Sequence, residues 1–392
     1  MFSKIKNLFN GESKSVSDFY NNPGNGYYIL GNGKAVWSDR CYQKFADEAF
    51  RKNIVAYRAI SMIADSAANV KFKLKTVEDN DINIDGHPIL ELLTDPNPSQ
   101  SGFEFFRNIY SHRLISRNSY ILSVGASDEQ PAELYNLRPD RVSVLASNGG
   151  CPAGYRYQVK GGKTKDYLYD RAGQCQVLHV KNFHPLNDWY GMSPIEAAAY
   201  SIDQHNQAAN WNQALMQNGA RPSGALVVKN EGGNDGKLGE DTYHRLKAQI
   251  EEQFTGSANA GRLLLLEGGL DWKEMSLSPK DMDFIESKNS SARDIALAFG
   301  MPPQLLGIPG DSTYNNLAEA RLALWEQTII PLVEEVFNHL NNWLIPQFDD
   351  RLKLEFSLDN IPALAPRREA IWKRVNDANF LSDEEKRKIL GI

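Results

Sequence analysis

Apolar residues recur three and four positions apart in several stretches of this chain, a spacing that predicts amphipathic helices. The first predicted helix runs from about Phe45 to Asn69, and a second one follows the turn at 95–98. Their inner stripes are expected to consist of Phe50, Ile54, Tyr57, Ile60, Ile63 and Ala64 in the first helix, and Phe103, Phe106, Ile109, Tyr110 and Leu114 in the second.

Strict alternation over Val70–Val77 predicts a half-buried strand whose lysines face solvent. Further short β-rich runs are 120–124, 141–145, 155–159 and 176–180. We therefore expect a mixed α/β domain over 35–192. It follows an arm, residues 1–34, whose content of Asn, Gly and Ser predicts flexibility.

A third helix is predicted to begin at Ser193-Pro-Ile-Glu196, where Ser caps the end and Pro occupies the first turn. It should run to Asn218 and be closed by Gly219. Glu196 and Asp203 are its acidic residues, it contains no Lys or Arg, and it is rich in Ala, Asn and Gln. Two interpretations stay open: a helix packed closely through Ala, or a helix with a special uncharged surface.

A small α/β insert is expected next, with strands at 224–229 and 262–266 and a helix at 240–254. Ser278-Pro then starts a further helix that Gly300 closes. Residues 307–315 have the composition of a loop. The helix predicted at 316–345 should be kinked by Pro331, and its length suggests that neighbouring subunits cover it. A strand at 352–358 and a helical tail from Pro366 complete the pattern.

Composition restricts the possible functions. The 392 residues carry a net charge of −6, whereas a protein that grips DNA through its phosphates is usually basic. Residues 194–300 hold 15 acidic and 10 basic residues, so most of the acidity lies there. Three separated cysteines suggest a reducing compartment, and we expect a soluble intracellular protein without a signal peptide, zinc site or membrane span.

The search for an enzyme is negative at the sequence level. The Gly-rich segments at 31–34 and 233–237 lack the spacing of a phosphate-binding loop. His179 and His184 have no zinc-ligand spacing, and Gly310-Asp-Ser312 lacks the strand-turn-helix context of a hydrolase. We expect no catalytic residues, no cofactor and no metal.

Several motifs together resemble one family. They are His87-Pro-Ile-Leu-Glu-Leu-Leu-Thr-Asp-Pro-Asn-Pro, Arg117-Asn-Ser-Tyr-Ile, Leu137-Arg-Pro-Asp-Arg-Val, Tyr190-Gly-Met-Ser-Pro-Ile-Glu-Ala-Ala, Asn218-Gly-Ala-Arg-Pro-Ser-Gly, Leu266-Glu-Gly-Gly-Leu and Phe299-Gly-Met-Pro-Pro-Gln-Leu-Leu-Gly. From about residue 50 to 390 the chain resembles the portal proteins of siphovirus-type tailed bacteriophages. The portal of a gene transfer agent or a domesticated prophage is a close variant. Arg117 stands where that family typically has Gly.

The resemblance implies an α+β portal fold. Its parts would be a wing (35–192), a first stem helix (193–219), a clip (220–278), a second stem helix (279–300), a tunnel-loop region (301–315), a spine helix with a wing strand (316–358) and a crown (359–392).

The same resemblance implies a ring, usually of twelve subunits, at one capsid vertex, through which double-stranded DNA is packaged and ejected. The expected partners are the major capsid protein, the terminase packaging motor and a head-completion or adaptor protein, with no membrane. Assembly would take place in the cytoplasm of the bacterial host, and the mature protein would belong to the virion.

Two groups of residues are the expected contacts. The candidates for the DNA tunnel are Lys280, Lys288, Arg293, Asp311, Thr313, Tyr314, Asn315 and Asn316. The candidates for partner docking in the clip are Arg221, Glu240, Asp241, Arg245 and Glu251. The bases of the second stem helix could form sparse positive rings, or they could pair with Asp281, Asp283 and Asp294; both interpretations stay open.

Two other functions compete with a conduit. One is a monomeric scaffolding or adaptor protein of the capsid, which a measurement of particle mass would separate from a ring. The other is a maturation enzyme, which would need a convergent set of acid, base or metal-binding groups.

Overall fold

The computed structural model describes residues 42–76, 84–125, 130–146, 151–159, 161–217, 224–228, 244, 270–274, 284–309, 314–378 and 380–390. All of these belong to one compact unit, Ser38–Ile392. The predicted arm at 1–34, the strand at 262–266 and, apart from the helical His244, the insert helix at 240–254 lie outside the described residues.

The α-helices are, in chain order, α1 (Tyr42–Lys44), α2 (Ile54–Ala68), α3 (Pro88–Thr94), α4 (Gly102–Ser116), α5 (Pro194–Ala197), α6 (Ala199–Gln217), α7 (Phe284–Ala298), α8 (Tyr314–Leu324), α9 (Ile330–Trp343), α10 (Ala365–Asp377) and α11 (Asp383–Leu390). Two π-helical segments, Phe45–Arg51 and Trp325–Ile329, follow α1 and α8 directly.

The strands are β1 (Lys71–Thr76), β2 (Asn118–Val124), β3 (Glu133–Leu137), β4 (Val142–Ala146), β5 (Pro152–Gln158), β6 (Thr164–Leu168), β7 (Val177–Lys181), β8 (Gly224–Val228), β9 (Leu270–Glu274) and β10 (Leu352–Ser357). They form four antiparallel sheets, ordered β1-β10, β3-β2-β7, β4-β5-β6 and β8-β9. The predicted mixture of helices and strands is confirmed, and β3, β6 and β9 are strands that the sequence pattern did not predict.

The helix predicted over 45–69 is interrupted at Asn53, which caps α2 by accepting hydrogen bonds from the amides of Val55 and Ala56. After the break, α2 turns a face rich in Ala toward α4. Small side chains on this face allow the two helices to approach closely. The residues buried on this face are Ala56, Ala59, Ile60, Ile63, Ala64 and Ala67. The prediction that Ile54 and Tyr57 face the core is therefore wrong, since both are exposed.

Helix α4 packs against α2 and carries most of the predicted inner stripe. Phe106, Ile109, Tyr110 and Leu114 are buried, whereas Phe103 is partly exposed. The helix starts with a complete capping box between Ser101 and Glu104, which satisfies two amides at its first turn.

Strand β1 joins two distant parts of the chain, since it pairs with β10 and places Leu74 opposite Leu354. Lys71 and Lys73 face solvent as predicted, while Leu74 lies in the main core. A second, smaller core is formed by the β3-β2-β7 and β4-β5-β6 sheets and consists of Tyr120, Leu137, Val142, Tyr155, Tyr167, Cys175 and Val177.

The long helix predicted at 316–345 is resolved into α8, a π-helical turn and α9. The amide of Ile330 donates to the carbonyl of Trp325, five residues back, and Pro331 has no amide to continue the regular pattern. The π-helical turn is the irregularity that the structure shows beside Pro331. The stripe of Ile329, Leu332, Val336, Leu340 and Leu344 lies in the chain's own core, so its burial needs no neighbouring subunit. That neighbouring subunits cover the other faces of the long helix stays a prediction.

Ser193 caps α5 as predicted, because its side chain accepts from the amide of Ile195 and its hydroxyl donates to the carbonyl of Ile115 at 2.6 Å. The predicted single helix over 193–218 is divided at Ala198 into α5 and α6. In the part of the chain that the structure describes, no helix combines the length and apolarity needed to cross a bilayer.

Candidate functional site

Helices α6 and α7 lie side by side and define the candidate site. Their buried contact is formed by Ile202 on α6 and by Ala292, Ile295 and Ala296 on α7. Two polar contacts add to it: Ser201 Oγ donates to Asp294 Oδ2 at 3.3 Å, and Ser291 Oγ donates to Gln204 Oε1 at 3.4 Å. The pair is thus held by Ala and Ile side chains and by two hydrogen bonds donated by Ser hydroxyls, one of them to the Asp294 carboxylate.

A polar junction fixes α6 to the start of α2. Asn53 Nδ2 lies 3.2 Å from His205 Nδ1 and donates to Asn206 Oδ1 at 3.0 Å. Asn206 Nδ2 in turn donates to the carbonyl of Glu48 at 2.9 Å. Burial lowers the pKa of His205, and the positive charge of Lys288 lowers it further, so the junction is neutral at pH 7.

Beyond this junction α6 presents an uncharged surface. Gln207, Ala209, Asn210, Asn212 and Gln213 are exposed. The first turns of the predicted helix pack through Ala198 and Ile202, as the first interpretation requires, while its later turns face outward. A special role for that uncharged surface stays a prediction. An amide-rich surface can hydrogen-bond a phosphate without releasing counterions in the way that Lys and Arg do.

The predicted tunnel residues occupy three places. Lys288 is an exposed residue of α7, and Tyr314, Asn315 and Asn316 form the first turn of α8. Lys280, Asp311 and Thr313 lie outside the described residues.

Arg293 links α7 to the segment that leads toward α8. Its Nη2 donates to the carbonyl of Pro309 at 2.7 Å, and its Nη1 lies 3.8 Å from Glu286 Oε1. The predicted pairing of the α7 bases with Asp294 is not found for Arg293, which contacts Pro309 and Glu286 instead. Asp294 instead accepts from Ser201.

The predicted docking residues Arg221, Glu240, Asp241, Arg245 and Glu251 lie outside the described residues. Within their segment the structure describes one sheet, the antiparallel pair of β8 and β9, with Gly224 opposite Glu274 at one end and Val228 opposite Leu270 at the other.

Sequence reasoning missed a buried charged group that fixes α4 to α9. Arg113 is fully buried and donates to Glu335 of α9 and to Asn182, which follows β7. Burial and the neighbouring charge of Arg113 lower the pKa of Arg117 to about 10. The helical pattern puts Arg113 next to the buried stripe that contains Tyr110 and Leu114. It does not identify the acidic partner, Glu335, which lies 222 residues away in sequence.

Among the described residues, no group of three or more His, Cys, Asp or Glu side chains is placed to hold a metal ion. The polar groups brought together at α6 and α7 are Ser, Asn, Gln, a neutral His and the exposed carboxylate of Asp294, which accepts from Ser201. They supply hydrogen bonds, and no base is placed to activate a nucleophile among them. The arrangement is that of a structural surface.

These features have counterparts in known proteins. Residues 54–391 match the model of the phage portal protein family, and the chain belongs to that family. It is a portal protein of the phage or gene-transfer-agent head-tail connector, and a structural protein rather than an enzyme.

Two solved structures and one relative illustrate the similarity. A chain from the neck of an empty gene transfer agent particle is 42% identical with a TM-score of 0.70, over 92% of this chain and 96% of that one. A chain from the neck of a native particle, computed with C12 symmetry, is 41% identical with a TM-score of 0.68 over the same shares. The portal protein of Enterobacteria phage HK97 is 25% identical over 87% of this chain and 79% of its own length.

Proposed function

We propose that this portal protein assembles into a ring of twelve copies that conducts double-stranded DNA through one vertex of a capsid, during packaging and ejection. The observation that carries the proposal is its similarity, over 92% of its length, to the neck chain computed with C12 symmetry. A gene transfer agent neck is the favoured setting, because that chain and its counterpart in the empty particle are 41% and 42% identical.

The parts of the ring follow from the element order. The α/β region ending before Ser193 would be the wing, α6 and α7 the stem, and the segment between them the clip. The segment before α8 would be the tunnel loop, α8 and α9 the spine, and α10 and α11 the crown. The hydrogen bond from Arg293 to Pro309 supports this assignment of the tunnel loop, since it would anchor the loop's first residues to the stem.

The charge distribution suits a channel through which DNA moves. Clustered bases would hold the phosphates, whereas neutral amides and scattered bases leave DNA free to slide. On α6 the exposed Gln207, Asn210 and Gln213 supply such amides. On α7 the exposed Lys288 would be repeated once per subunit, which gives a sparse positive ring.

The docking partners are assigned by position. The segment between α6 and α7 would contact the terminase motor and later a head-completion or adaptor protein, with Arg221, Glu240, Asp241, Arg245 and Glu251 as its candidate contacts. The wing would contact the major capsid protein. In the assembled particle the protein would then belong to the virion, at the capsid vertex.

Mass photometry of the purified protein tests the ring directly. The expected particle has twelve times the 44.0 kDa mass of the chain, and negative-stain images should show a central opening. A stable single-chain particle in both measurements would overturn the proposal and favour the alternative of a monomeric capsid scaffold or adaptor.

The channel assignment needs a test of its own. Tyr314 and Asn315 already belong to α8, so the tunnel-loop variant should replace 310–313 with Gly and Ser and leave the helix intact. We expect intact rings and a loss of nuclease-protected DNA from particles assembled with this variant. A control with Gly and Ser at 161–163, an exposed turn, should package normally. Normal packaging by both variants would exclude the loop from DNA handling.

A further inference from the structure

The C-terminal tail of the chain has an unpartnered surface. Helix α10 is 13 residues long, and Val375 is the one buried residue in it. Trp372 is 52% exposed, Phe380 is 86% exposed and Ile389 is 54% exposed. Trp372 and Ile389 lie on the two helices and Phe380 lies in the segment between them. Exposed large apolar side chains clustered in one short part of a chain often mark a contact with another protein surface.

The two tail helices also carry opposite charges that find no partner among the described residues. Lys373 and Arg374 are exposed at the end of α10, and Asp383 and Glu384 are exposed at the start of α11. Among the described residues these four side chains form no ion pair or hydrogen bond. Three other bases of the tail do have partners. Arg367 forms an ion pair with Glu326, Arg368 donates to the carbonyls of Leu358 and Ile361, and Lys386 donates to the carbonyl of Asn376.

We propose that the end of α10 binds the start of α11 of a second copy of this chain, the next subunit around the ring. Lys373 and Arg374 of one copy pair with Asp383 and Glu384 of the next, and Trp372 and Phe380 bury their apolar surface in the same contact. The charges are complementary between two different surfaces of one chain. Such a head-to-tail contact repeats around a closed ring.

This inference rests on the proposed ring and assigns one of its interfaces. DNA is the less favoured occupant. The basic pair could bind phosphates, but Asp383 and Glu384 would repel them, and Phe380 offers an apolar surface that a duplex backbone does not match.

A mixing experiment separates pairing between subunits from pairing within one. The acidic variant carries Lys373→Glu and Arg374→Glu, so both of its tail surfaces are negative. The basic variant carries Asp383→Lys and Glu384→Lys, so both are positive. In a ring where the two variants alternate, every interface again joins opposite charges, whereas neither chain has regained an internal pair.

We expect each variant alone to need about tenfold more protein than the wild type for half-maximal ring formation in 50 mM salt, because like charges face each other at every interface. An equimolar mixture should return to within about twofold of the wild type. Ring mass by native mass spectrometry is the measurement. The matched control, Lys163→Glu with Arg171→Glu, changes two exposed bases elsewhere and should assemble normally.

Three results would overturn the inference while the ring itself stands. Unimpaired assembly of both variants would show that the tail surfaces do not meet. Impaired variants that the mixture fails to rescue would place the pairs within one subunit. Normal assembly with tighter duplex DNA binding by the basic variant would assign the surface to DNA. A wild-type protein that forms no ring under any condition would instead overturn the proposed function.

Discussion

At the scale of single residues, two positions show how backbone conformation selects a side chain. Gly300 ends α7 at φ 63°, in the left-handed region where glycine is favoured. Arg117 ends α4 at φ 56°, the one described non-glycine residue with a positive φ. The family resemblance leads one to expect Gly at this position, and the structure explains why. Arg117 adopts a left-handed conformation that is strained for a residue with a side chain. Its carbonyl accepts a hydrogen bond from the amide of Asn182.

Gly300→Ala is expected to destabilise the fold through two effects. A methyl group there would lie 2.6 Å from Thr328 Oγ1, whose hydroxyl donates to the carbonyl of Gly300 at 2.7 Å. Left-handed strain and the disturbed hydrogen bond together should cost about 2 kcal/mol.

Gly307→Ala is the matched control, since Gly307 has φ 72° and no atom within 4 Å of the added carbon. It should cost only the strain, about 1 kcal/mol. Thermal unfolding midpoints of the two variants check the difference, and equal shifts would contradict a role for Thr328.

His179 should make the stability of the small tyrosine core depend on pH. Burial lowers its pKa to about 3, with smaller effects from Lys181, Arg113 and His339. Its ring stacks on Tyr120 at 4.3 Å. Because the folded state holds the neutral form, stability is full above the unfolded pKa near 6.5 and falls as pH decreases from there toward 3.

His179→Phe keeps an aromatic ring at the stack but removes the titration. Between pH 6 and 4 the unfolding free energy of this variant should fall less steeply than that of the wild type. The difference between the two slopes should be about 1.4 kcal/mol per pH unit. Denaturation at several pH values measures both slopes. Parallel pH profiles would show that the ring of His179 is protonated as easily in the folded protein as in the unfolded chain.

At the scale of elements, the hydrophobic period located most helices but not their phase. A single helical period was fitted through 45–69, yet Asn53 caps a new helix there, and Ile54 and Tyr57 face outward. The same limitation applies to α8 and α9, where Pro331 predicted a kink but not the π-helical turn before it. Breaks of this kind depend on where the flanking faces find packing partners, and a local pattern does not contain that information.

Leu340 and Leu297 test the assignment of buried and exposed faces. Leu340 of α9 is fully buried, and Leu340→Ala should cost about 2–5 kcal/mol because it leaves a cavity. Leu297 of α7 is 79% exposed, and Leu297→Ala should change the stability of the isolated subunit by less than about 0.5 kcal/mol. Urea unfolding of both variants provides the comparison; similar losses would contradict the described packing of α9.

At the scale of the whole molecule, the neutral surface of α6 leads to a prediction about DNA. Gln207→Lys, Asn210→Lys and Gln213→Lys together would line a ring with positive charge. If α6 faces the channel, the triple variant should bind a short duplex more tightly, and its affinity should fall more steeply with salt, because each new phosphate contact releases a counterion.

The matched control replaces three exposed glutamines far from α6 in sequence, Gln130, Gln158 and Gln174, with Lys. Its net charge changes equally, so it reports the general effect of added bases. Binding isotherms at several KCl concentrations give both salt slopes. Equal slopes in the two triple variants would show that α6 does not contact DNA.

The sequence by itself determined the secondary-structure content, the Ser193 cap, the end of α7 at Gly300 and, through motifs such as Phe299-Gly-Met-Pro-Pro, the portal family. Caps, turns and apolar periods act within a few residues, so the local sequence contains them. Only the tertiary structure decided that Arg113 meets Glu335, that β1 pairs with β10 and that Asn53 joins His205. Each of these contacts joins residues more than 150 positions apart, and their pairing depends on how whole elements pack.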